Sequence, residues 1–403
     1  MKYKVAIITG TPDWHRPEFY QKMTIHPRID LNVYFCSRQA LNGRLLYEAF
    51  RVTDGNWGIN LLKGYKYKIL RNYSPRKPTF GRTKLFSHVN LGICAEIRKK
   101  RYDAVIITMW NDITYWIAAI TCKLLRIPFL FAGDSTILTE ENKPLWKRKL
   151  KQYLLGELLF PMASGCLYRS ELNRQFYRYY GVPDDRLFFY PLSVDYERYF
   201  TLYQRLRKER GRIRAEEGLS DDTFVILFVG RLSEEKRPFD LLKAYQKVES
   251  PNKALLIVGD GKLKRDIESY IKYEGAQDVH LLGFKPRPEV PKFYIMADVL
   301  VLPSSYEPHG DVVKEGMCFG LPVIVSDKVG ASVDLVKHDE NGFIYPCGDT
   351  EALTLYLNLL ANDSQKRKVF GEASLRIIKN WDHNKAIDGL IQALDYIYKK
   401  RNE

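Results

Sequence analysis

Four charged residues in the second half of the chain have the types and the spacing that could hold a phosphorylated ligand. Arg231 and Lys236 follow the apolar run 224–229 and precede Pro238, which favours the start of a helix. Arginine presents a planar fork to phosphate oxygens, and lysine presents a mobile point charge. Two basic residues in a solvated loop would look the same in isolation, so the interpretation depends on a second segment.

The second segment carries Glu307 and Glu315 on either side of Gly310. A strand is predicted to end at Leu302 and a helix to begin near Gly310, where the N–H groups and the helix dipole would attract a phosphate. Glu315 would then lie about 6–8 Å along the helix axis, roughly the step from a diphosphate to the ribose of the same nucleotide. Glu307 would lie on the other side of the phosphate, where a sugar attached to it belongs.

A pair of glutamates also suggests the acid and the nucleophile of a glycoside hydrolase. The cations Arg231 and Lys236 make this the weaker interpretation, because such a hydrolase has no diphosphate to neutralise. No Asp-x-Asp motif occurs, and Asp195-Tyr196-Glu197 is only similar to one. The sequence therefore implies no metal ion and no other cofactor.

The framework that positions these residues is predicted from an alternation of short apolar runs and amphipathic segments. That alternation is typical of doubly wound α/β domains. In the first half, strands are predicted at Lys4–Thr9, Leu31–Cys36, Ala104–Met109, Phe129–Ala132 and Gly165–Tyr168, with helices near 85–101, 113–126, 144–160 and 170–180. Residues 38–84 are interpreted as an elaborated loop region with a short strand around Tyr67–Leu70.

A second alternation of the same kind begins at residue 224. Strands are predicted at Phe224–Val229, Ala254–Val258, Val279–Leu282, Val299–Leu302 and Val323–Val325, with helices near 237–248, 261–274, 289–296, 311–319, 349–361 and 363–378. The charged segment Arg205–Gly218 is interpreted as a connector. Apolar residues at helical spacing after Asp382 predict one last amphipathic helix.

Several short motifs of the second half occur in a fixed order. They are Gly230-Arg231-Leu232-Ser233 with Lys236, Val258-Gly259-Asp260-Gly261, Leu282-Gly283-Phe284, Ala297-Asp298-Val299, Pro303-Ser304 with the Glu307–Glu315 pair, Gly320-Leu321-Pro322-Val323-Ile324, Asn341-Gly342-Phe343 and Trp381. Together they resemble the retaining glycosyltransferases of family 4, also called glycosyl transferases group 1, over residues 224–381.

This resemblance implies an architecture and an activity. The fold would be α/β of the GT-B type, with two doubly wound Rossmann-like domains facing across a cleft and a C-terminal helix crossing back. Residues 1–200 would bind the acceptor, 201–380 would bind the nucleotide-sugar donor, and 381–403 would form the returning helix. The reaction would transfer a sugar from a nucleoside-diphosphate sugar to a glycan or lipid-linked acceptor, as in polysaccharide biosynthesis, with retention and without a metal.

The resemblance also implies a role for each matching residue. Arg231 and Lys236 would neutralise the donor diphosphate, and the amides of Gly310 and Asp311 would hold its distal phosphate. Glu315 would bind the ribose, and Glu307 would bind hydroxyls of the transferred sugar as a catalytic residue. The other candidates for donor binding are Gly10, Gly230, Gly283, Phe284 and His309.

Over residues 1–200 the resemblance is weaker. The first loop has only Gly10 where the family usually has a pair of glycines. Asp134 falls at or beside a position where many members carry a histidine. As a catalytic residue it would stabilise the cationic sugar or receive the acceptor proton, and the alternative is that it caps a loop or helix.

Charge is distributed unevenly along the chain. The net charge is +15, and residues 1–200 carry 32 basic and 17 acidic residues, so the whole excess lies in the first half. This indicates an anionic partner, such as a membrane surface, nucleic acid or an acidic acceptor, with solubility alone as the alternative. The candidate sources are the loop Arg71–Lys84 and the helix Lys143–Lys151 with Trp146, which would rest on an anionic bilayer or pack on the core.

The sequence also predicts a compartment and a set of partners. No apolar run is long enough to cross a bilayer, the first residues are typical of a strand rather than a signal peptide, and the six scattered cysteines are predicted to be free thiols. We expect a cytoplasmic protein, with the inner face of the cell membrane as a peripheral site, that binds a nucleotide sugar and no nucleic acid. The rival interpretations are a GT-B-type sugar-nucleotide epimerase and a non-enzymatic nucleic-acid- or membrane-binding protein on a degenerate fold.

Overall fold

The computed structural model describes residues 2–12, 16–38, 41, 60–75, 85–140, 143–191 and 194–403. These residues form two compact units. Unit 1 contains the described residues up to 191 together with 383–403, and unit 2 contains 194–382. Within the described ranges, no helix is both long enough and apolar enough to cross a bilayer. All six cysteines are free thiols.

Unit 1 is built on a parallel sheet. Its strands are β1 (Tyr3–Thr9), β2 (Ile29–Phe35), β3 (Tyr67–Ile69), β4 (Ala104–Ile107), β5 (Phe129–Phe131), β6 (Gly165–Tyr168) and β7 (Leu187–Phe189). They are ordered β3-β2-β1-β4-β5-β6-β7. The helices are α1 (Pro17–Ile25), α2 (Gly92–Lys100), α3 (Ile113–Leu124), α4 (Leu145–Lys151), α5 (Phe160–Met162) and α6 (Glu171–Tyr179), with π-helical turns at Gln152–Leu159 between α4 and α5.

Unit 2 repeats the plan with the sheet order β10-β9-β8-β11-β12-β13. Its strands are β8 (Phe224–Val229), β9 (Lys253–Val258), β10 (Val279–Gly283), β11 (Val299–Leu302), β12 (Val323–Ser326) and β13 (Gly342–Tyr345). Its helices are α7 (Tyr196–Leu206), α8 (Arg210–Glu216), α9 (Pro238–Gln246), α10 (Lys264–Glu274), α11 (Val290–Met296), α12 (Asp311–Cys318), α13 (Ala331–Asp334), α14 (Thr350–Asn362) and α15 (Ser364–Ile378). The predicted α/β class with two doubly wound, parallel-sheet domains is confirmed.

The last helix, α16 (His383–Asn402), belongs to unit 1. Its apolar face packs into the unit 1 core with strand residues of β1 and β2. The buried members of this face are Ala386, Ile387, Leu390, Ala393, Leu394 and Ile397. The amphipathic helix predicted after Asp382 is therefore present.

The start of the helix predicted over 85–101 was wrong, because α2 begins only at Gly92. Residues 88–90 are held in a loop by their own polar contacts. The N–H of His88 donates to the Asp112 carboxylate at 2.9 Å, and the Asn90 amide donates to the carbonyls of Cys36 and Arg71 at 3.1 and 3.0 Å. A helix would break these bonds between distant segments.

The segment predicted as one helix over 144–160 is interrupted. The chain passes from α4 into wider π-helical turns before α5, which contains Pro161. Proline has no N–H and crowds the carbonyl four residues earlier, so wider turns relieve a clash that a regular α-helix would contain.

The segment Arg205–Gly218, predicted as a connector, is packed into unit 2. The Arg214 side chain is fully buried in α8. Its guanidinium forms an ion pair with Asp298 at 2.7 Å and donates to the Met296 carbonyl at 2.6 Å. Burying a charge requires such partners, so this arginine joins α8 firmly to the strand that follows Asp298.

Five elements of the described residues had no sequence signal strong enough to predict them: α1, α7, α13, β7 and β13. The strands have three and four residues, and β13 begins with a glycine. The loop predicted over 38–84 lies largely outside the described residues, as do Arg76, Lys77, Arg82 and Lys84. Its predicted short strand is β3.

Candidate active site

The candidate residues of unit 2 lie at the carboxyl edge of its sheet. Strand β8 pairs with β9 on one side and with β11 on the other, so the strand order reverses at β8. Ligands of doubly wound domains bind beyond the strand ends at such a point. Gly230 and Arg231 follow β8 directly, and Glu307 lies in the loop after β11.

These two loops are fixed to their surroundings by backbone hydrogen bonds. The Ser305 N–H donates to the Glu235 carbonyl at 2.8 Å, which joins the β11 loop to the β8 loop. The Gly330 N–H donates to the Glu307 carbonyl at 2.7 Å. A Cβ on Gly330 would lie 1.9 Å from the Pro308 carbonyl oxygen, so only glycine allows this close approach.

Glu307 and Lys236 form an ion pair through Oε2 and Nζ. Only 19% of the Glu307 side chain and 16% of the Lys236 side chain are exposed. The other carboxylate oxygen, Oε1, accepts hydrogen bonds from the N–H groups of His309 at 3.3 Å and Gly310 at 3.1 Å. The carboxylate thus bridges a cation and the start of a helix.

These partners determine the charge of Glu307. Burial alone would raise the pKa of its carboxyl group, but the attraction and hydrogen bond of Lys236, with the bond from the Gly310 N–H, outweigh burial and hold the pKa below its ordinary value. The carboxylate is therefore ionised at neutral pH.

Gly310 forms the turn into α12, the helix predicted to begin there. Its φ of +71° is a left-handed conformation that side chains rarely adopt, so glycine fits the position. Asp311 occupies the first helical turn and forms an ion pair with the buried Lys314 at 2.6 Å. The first turn of α12 therefore combines a helix dipole with charged side chains close to Glu307.

Glu315 follows one turn later on α12 and is held by two tyrosines. The Tyr199 hydroxyl donates to Oε1 at 3.1 Å, and the Tyr294 hydroxyl donates to Oε2 at 2.9 Å. Burial first, and then the Glu315 charge, raises the pKa of both phenols, so both remain protonated donors. Each carboxylate oxygen has a second lone pair that can accept a bond from a ligand.

Gly283 and Phe284 lie on the same edge of the sheet as Gly230. Gly283 closes β10, and its carbonyl accepts from the Gly259 N–H at 2.9 Å. The Gly230 N–H donates to the Val258 carbonyl, also at 2.9 Å. The ends of β8, β9 and β10 are therefore aligned, and the predicted donor residues of the second half share one edge.

The two candidates of the first half lie in unit 1. Gly10 follows β1, and Asp134 follows β5 after two intervening residues. Asp134 forms an ion pair with Arg169 at 2.5 Å; its side chain is 43% exposed, whereas Arg169 is buried. Arg169 also donates to the Ala132 carbonyl at 2.9 Å, so it fixes the strand end that carries Asp134.

Sequence reasoning missed Tyr199, Tyr294 and Arg169 as residues that position the candidate carboxylates. Tyr199 is 116 residues from Glu315 along the chain, and Tyr294 is 21 residues from it. Arg169 follows a strand as a single arginine, and no spacing in the sequence relates it to Asp134. Only the packing of the folded chain brings each of them to its carboxylate.

Comparison with known proteins places this arrangement in a family. Residues 209–377, which contain β8–β13 and all candidate residues of unit 2, match the family described as glycosyl transferases group 1. Unit 2 carries a glycosyl transferases group 1 domain. The predicted resemblance is confirmed at that level.

Individual relatives match part of this chain. An uncharacterized glycosyltransferase of Methanocaldococcus jannaschii is 39% identical over 142 residues, which are 34% of this chain and 36% of the relative. The UDP-Gal:alpha-D-GlcNAc-diphosphoundecaprenol alpha-1,3-galactosyltransferase of Escherichia coli is 30% identical over 192 residues, 45% of this chain and 46% of the relative. The chain spans between about a third and a half of the length of the curated relatives it matches first.

Solved structures resemble the whole chain in fold. Anabaena HepE in complex with UDP has a TM-score of 0.74 at 18% identity and covers 98% of this chain and 100% of its own. A glycosyltransferase from Rickettsia africae has a TM-score of 0.76 at 16% identity and covers 99% of each chain. At such identities the likeness establishes the fold, and these neighbours extend it beyond the group 1 domain to unit 1.

Proposed function

We propose that this chain is a glycosyltransferase that transfers a sugar from a nucleoside-diphosphate sugar, with retention and without a metal ion, to a glycan or lipid-linked acceptor. The observation that carries the proposal is the arrangement of Lys236, Glu307 and the start of α12 within a group 1 domain. It combines a cation, a carboxylate and a helix N-terminus at the strand-order reversal of unit 2. HepE forms a complex with UDP-glucose, and the E. coli relative is named for a UDP-Gal donor.

The chemistry needs positive charge on one side of the reacting carbon and negative charge on the other. The bond from the anomeric carbon to the diphosphate oxygen breaks, and a bond to the acceptor oxygen forms on the same face of the sugar. Arg231, Lys236 and the amides at Gly310 and Asp311 would stabilise the departing diphosphate, with His309 beside it. Preorganised groups of this kind are strongest where water is excluded.

Glu307 and Glu315 have separate tasks in this proposal. Glu315, held by two hydroxyls, would accept hydrogen bonds from the ribose. Glu307 would hold hydroxyls of the transferred sugar and favour the positive charge that develops on its ring. Gly230 would let the diphosphate approach the end of β8, and Gly283 and Phe284 would border the base.

The ion pair suggests what happens when the donor binds. The Glu307 carboxylate accepts a hydrogen bond from the Gly310 N–H and forms an ion pair with Lys236. In this proposal both of these groups would bind the phosphates of the donor. A diphosphate that arrives would compete for them and leave Glu307 available to the sugar. For unit 1, the family resemblance alone supports Gly10 as a donor-binding residue and Asp134 as the residue that stabilises the sugar cation or receives the acceptor proton.

The proposal is tested by screening nucleoside-diphosphate sugars for thermal stabilisation and slow hydrolysis, with and without a chelator. Stabilisation and hydrolysis that survive the chelator, and an anomeric configuration retained in the product by NMR, are expected. An epimerised nucleotide sugar would identify the rival epimerase. Stabilisation by nucleic acid but by no nucleotide would favour a binding protein, and activity restored only by a divalent ion would refute metal independence.

A further inference from the structure

Helix α4 of unit 1 turns its apolar side chains outward. Leu145, Trp146, Leu150 and Tyr153, in α4 and the turn after it, are 73%, 63%, 52% and 57% exposed. Helices on a protein surface normally bury this kind of face and expose the charged one. The outward face formed by these four residues is called here the α4 face.

The inward side of the same helix is charged. Lys151 is buried and pairs with the buried Glu140 at 2.5 Å, and Lys143 pairs with the same oxygen at 2.9 Å. The Tyr180 hydroxyl donates to the other oxygen of Glu140 at 2.8 Å. Polar bonds therefore attach this helix to unit 1, and its large apolar residues do not serve the core.

Charge surrounds the α4 face. Lys147 and Lys149 are exposed on the same helix, and the Lys147 ammonium lies 5.3 Å from the centre of the Trp146 ring. Leucines with a tryptophan and a tyrosine, bordered by lysines, are the composition of helices that lie in the plane of a lipid surface. The excess positive charge of the whole chain also lies in its first half.

We propose that the α4 face docks on the surface of an anionic lipid bilayer, with its apolar residues in the headgroup region and Lys147 and Lys149 on lipid phosphates. This goes beyond the proposed transfer reaction and does not depend on it. A second copy of the chain fits less well, because a twofold contact through α4 would bring the two lysine clusters together. A bilayer supplies both an apolar layer and negative charge.

The experiment measures binding of the full chain to sedimented vesicles of phosphatidylcholine, with or without phosphatidylglycerol. Wild type should bind the anionic vesicles and not the neutral ones. Lys147→Gln with Lys149→Gln should weaken binding about fivefold per lysine, roughly 25-fold together, and reduce its salt dependence. Leu145→Ser, Trp146→Ser and Leu150→Ser together should weaken it at least about tenfold, also at high salt.

A matched control carries Lys272→Gln and Tyr273→Ser on α10 of unit 2, where Tyr273 is 87% exposed. It changes similar residue types on the other unit and should bind like wild type. All the substituted residues are exposed, so each variant should keep the thermal midpoint of wild type, which verifies folding. Nucleotide binding should be unchanged in every variant, whatever the fate of the proposed reaction.

Quenching by brominated lipids gives a second readout. Tryptophan emission of wild type should be quenched by anionic brominated vesicles, and Trp146→Tyr should lose most of this quenching. The proposal is overturned if wild type does not bind anionic vesicles, or if the variant with serine at positions 145, 146 and 150 binds them as well as wild type. A wild-type dimer that the serine variant converts to a monomer would assign the α4 face to a second copy instead.

Discussion

Replacing Tyr294 by phenylalanine tests whether Glu315 is a binding residue or a structural one. The substitution removes one hydroxyl that donates to the Glu315 carboxylate at 2.9 Å and keeps the ring, which stacks on Phe319 with centroids 5.4 Å apart. A hydrogen bond to a charged group contributes about 1.5–3 kcal/mol. The midpoint of thermal unfolding should fall by about 3–12 °C, because each kcal/mol shifts it by about 2–4 °C in a domain of this size.

Ligand binding separates the two roles. If Glu315 binds the ribose, a carboxylate held only by Tyr199 is less well oriented, and affinity for a nucleoside diphosphate should fall about tenfold, or about 1.4 kcal/mol. Isothermal titration measures the affinity, and differential scanning calorimetry measures the stability. Tyr199→Phe should give the same pattern.

The matched control is Tyr270→Phe, whose hydroxyl donates to Gln246 near the surface at 2.9 Å. It should change stability by less than about 0.5 kcal/mol and leave affinity unchanged. A Tyr294→Phe protein that loses stability but keeps full nucleotide affinity would refute the assignment of Glu315 to the ribose. Unchanged stability would show that the hydrogen bond contributes nothing.

Three further substitutions test other parts of the structure. Glu307→Gln should lower nucleotide-sugar turnover by about 10- to 1000-fold, which is about 1.4 kcal/mol of barrier for each tenfold loss. It should not weaken nucleoside diphosphate binding. Steady-state kinetics measure the turnover, and a normal rate would contradict this prediction. Lys236→Ala should weaken diphosphate binding about tenfold or more in titrations, whereas Lys236→Arg should retain most of it; equal affinity in wild type and Lys236→Ala would remove the phosphate site. Glu140→Gln leaves Lys151 buried without its carboxylate and should cost about 3–5 kcal/mol at pH 7, measured by denaturant unfolding.

The pKa of Glu140 also predicts how the stability of the protein depends on pH. Burial would raise the pKa of Glu140, but bonds from Lys151, Lys143 and Tyr180 outweigh it and lower the pKa from 4.5 to about 2. Because the folded pKa lies below the ordinary one, the carboxylate stabilises the fold above about pH 4.5, and this contribution is lost as the pH falls towards 2. The stability gap between wild type and Glu140→Gln should therefore narrow by about 1.4 kcal/mol per pH unit below 4.5; a constant gap would contradict the assignment.

The strands of unit 2 could be predicted because buried parallel strands are continuous apolar runs. The helix at Gly310 could be predicted because a strand, a polar loop and a glycine precede it in order. The ion pair of Lys236 with Glu307 could not, since these residues are 71 positions apart and several pairings of cations and carboxylates were possible. Which pair forms depends on which strands are neighbours in the sheet.

Periodicity predicted helix around 144–160 but not which of its sides faces the core. Apolar spacing shows only that a helix has two different faces, and the usual assumption buries the apolar one. Here Glu140, before the helix, provides a buried partner for Lys151, and this reverses the assumption. In the sequence, the feature that indicates this orientation of the helix is Glu140, a single glutamate at no distinctive spacing from Lys151.

The assignment of α16 to unit 1 has a consequence for how the protein is made. Strands β1 and β2 need Ile387, Leu390 and Leu394 to complete their core, yet unit 2 lies between them in the sequence. At about 5–20 residues per second, a ribosome takes roughly 10–40 s to synthesise the intervening residues. Residues 194–382 of unit 2 can fold in that interval, whereas β1 and β2 keep an apolar surface uncovered until α16 has been made. We expect newly made unit 1 to be the part of the chain that chaperones protect.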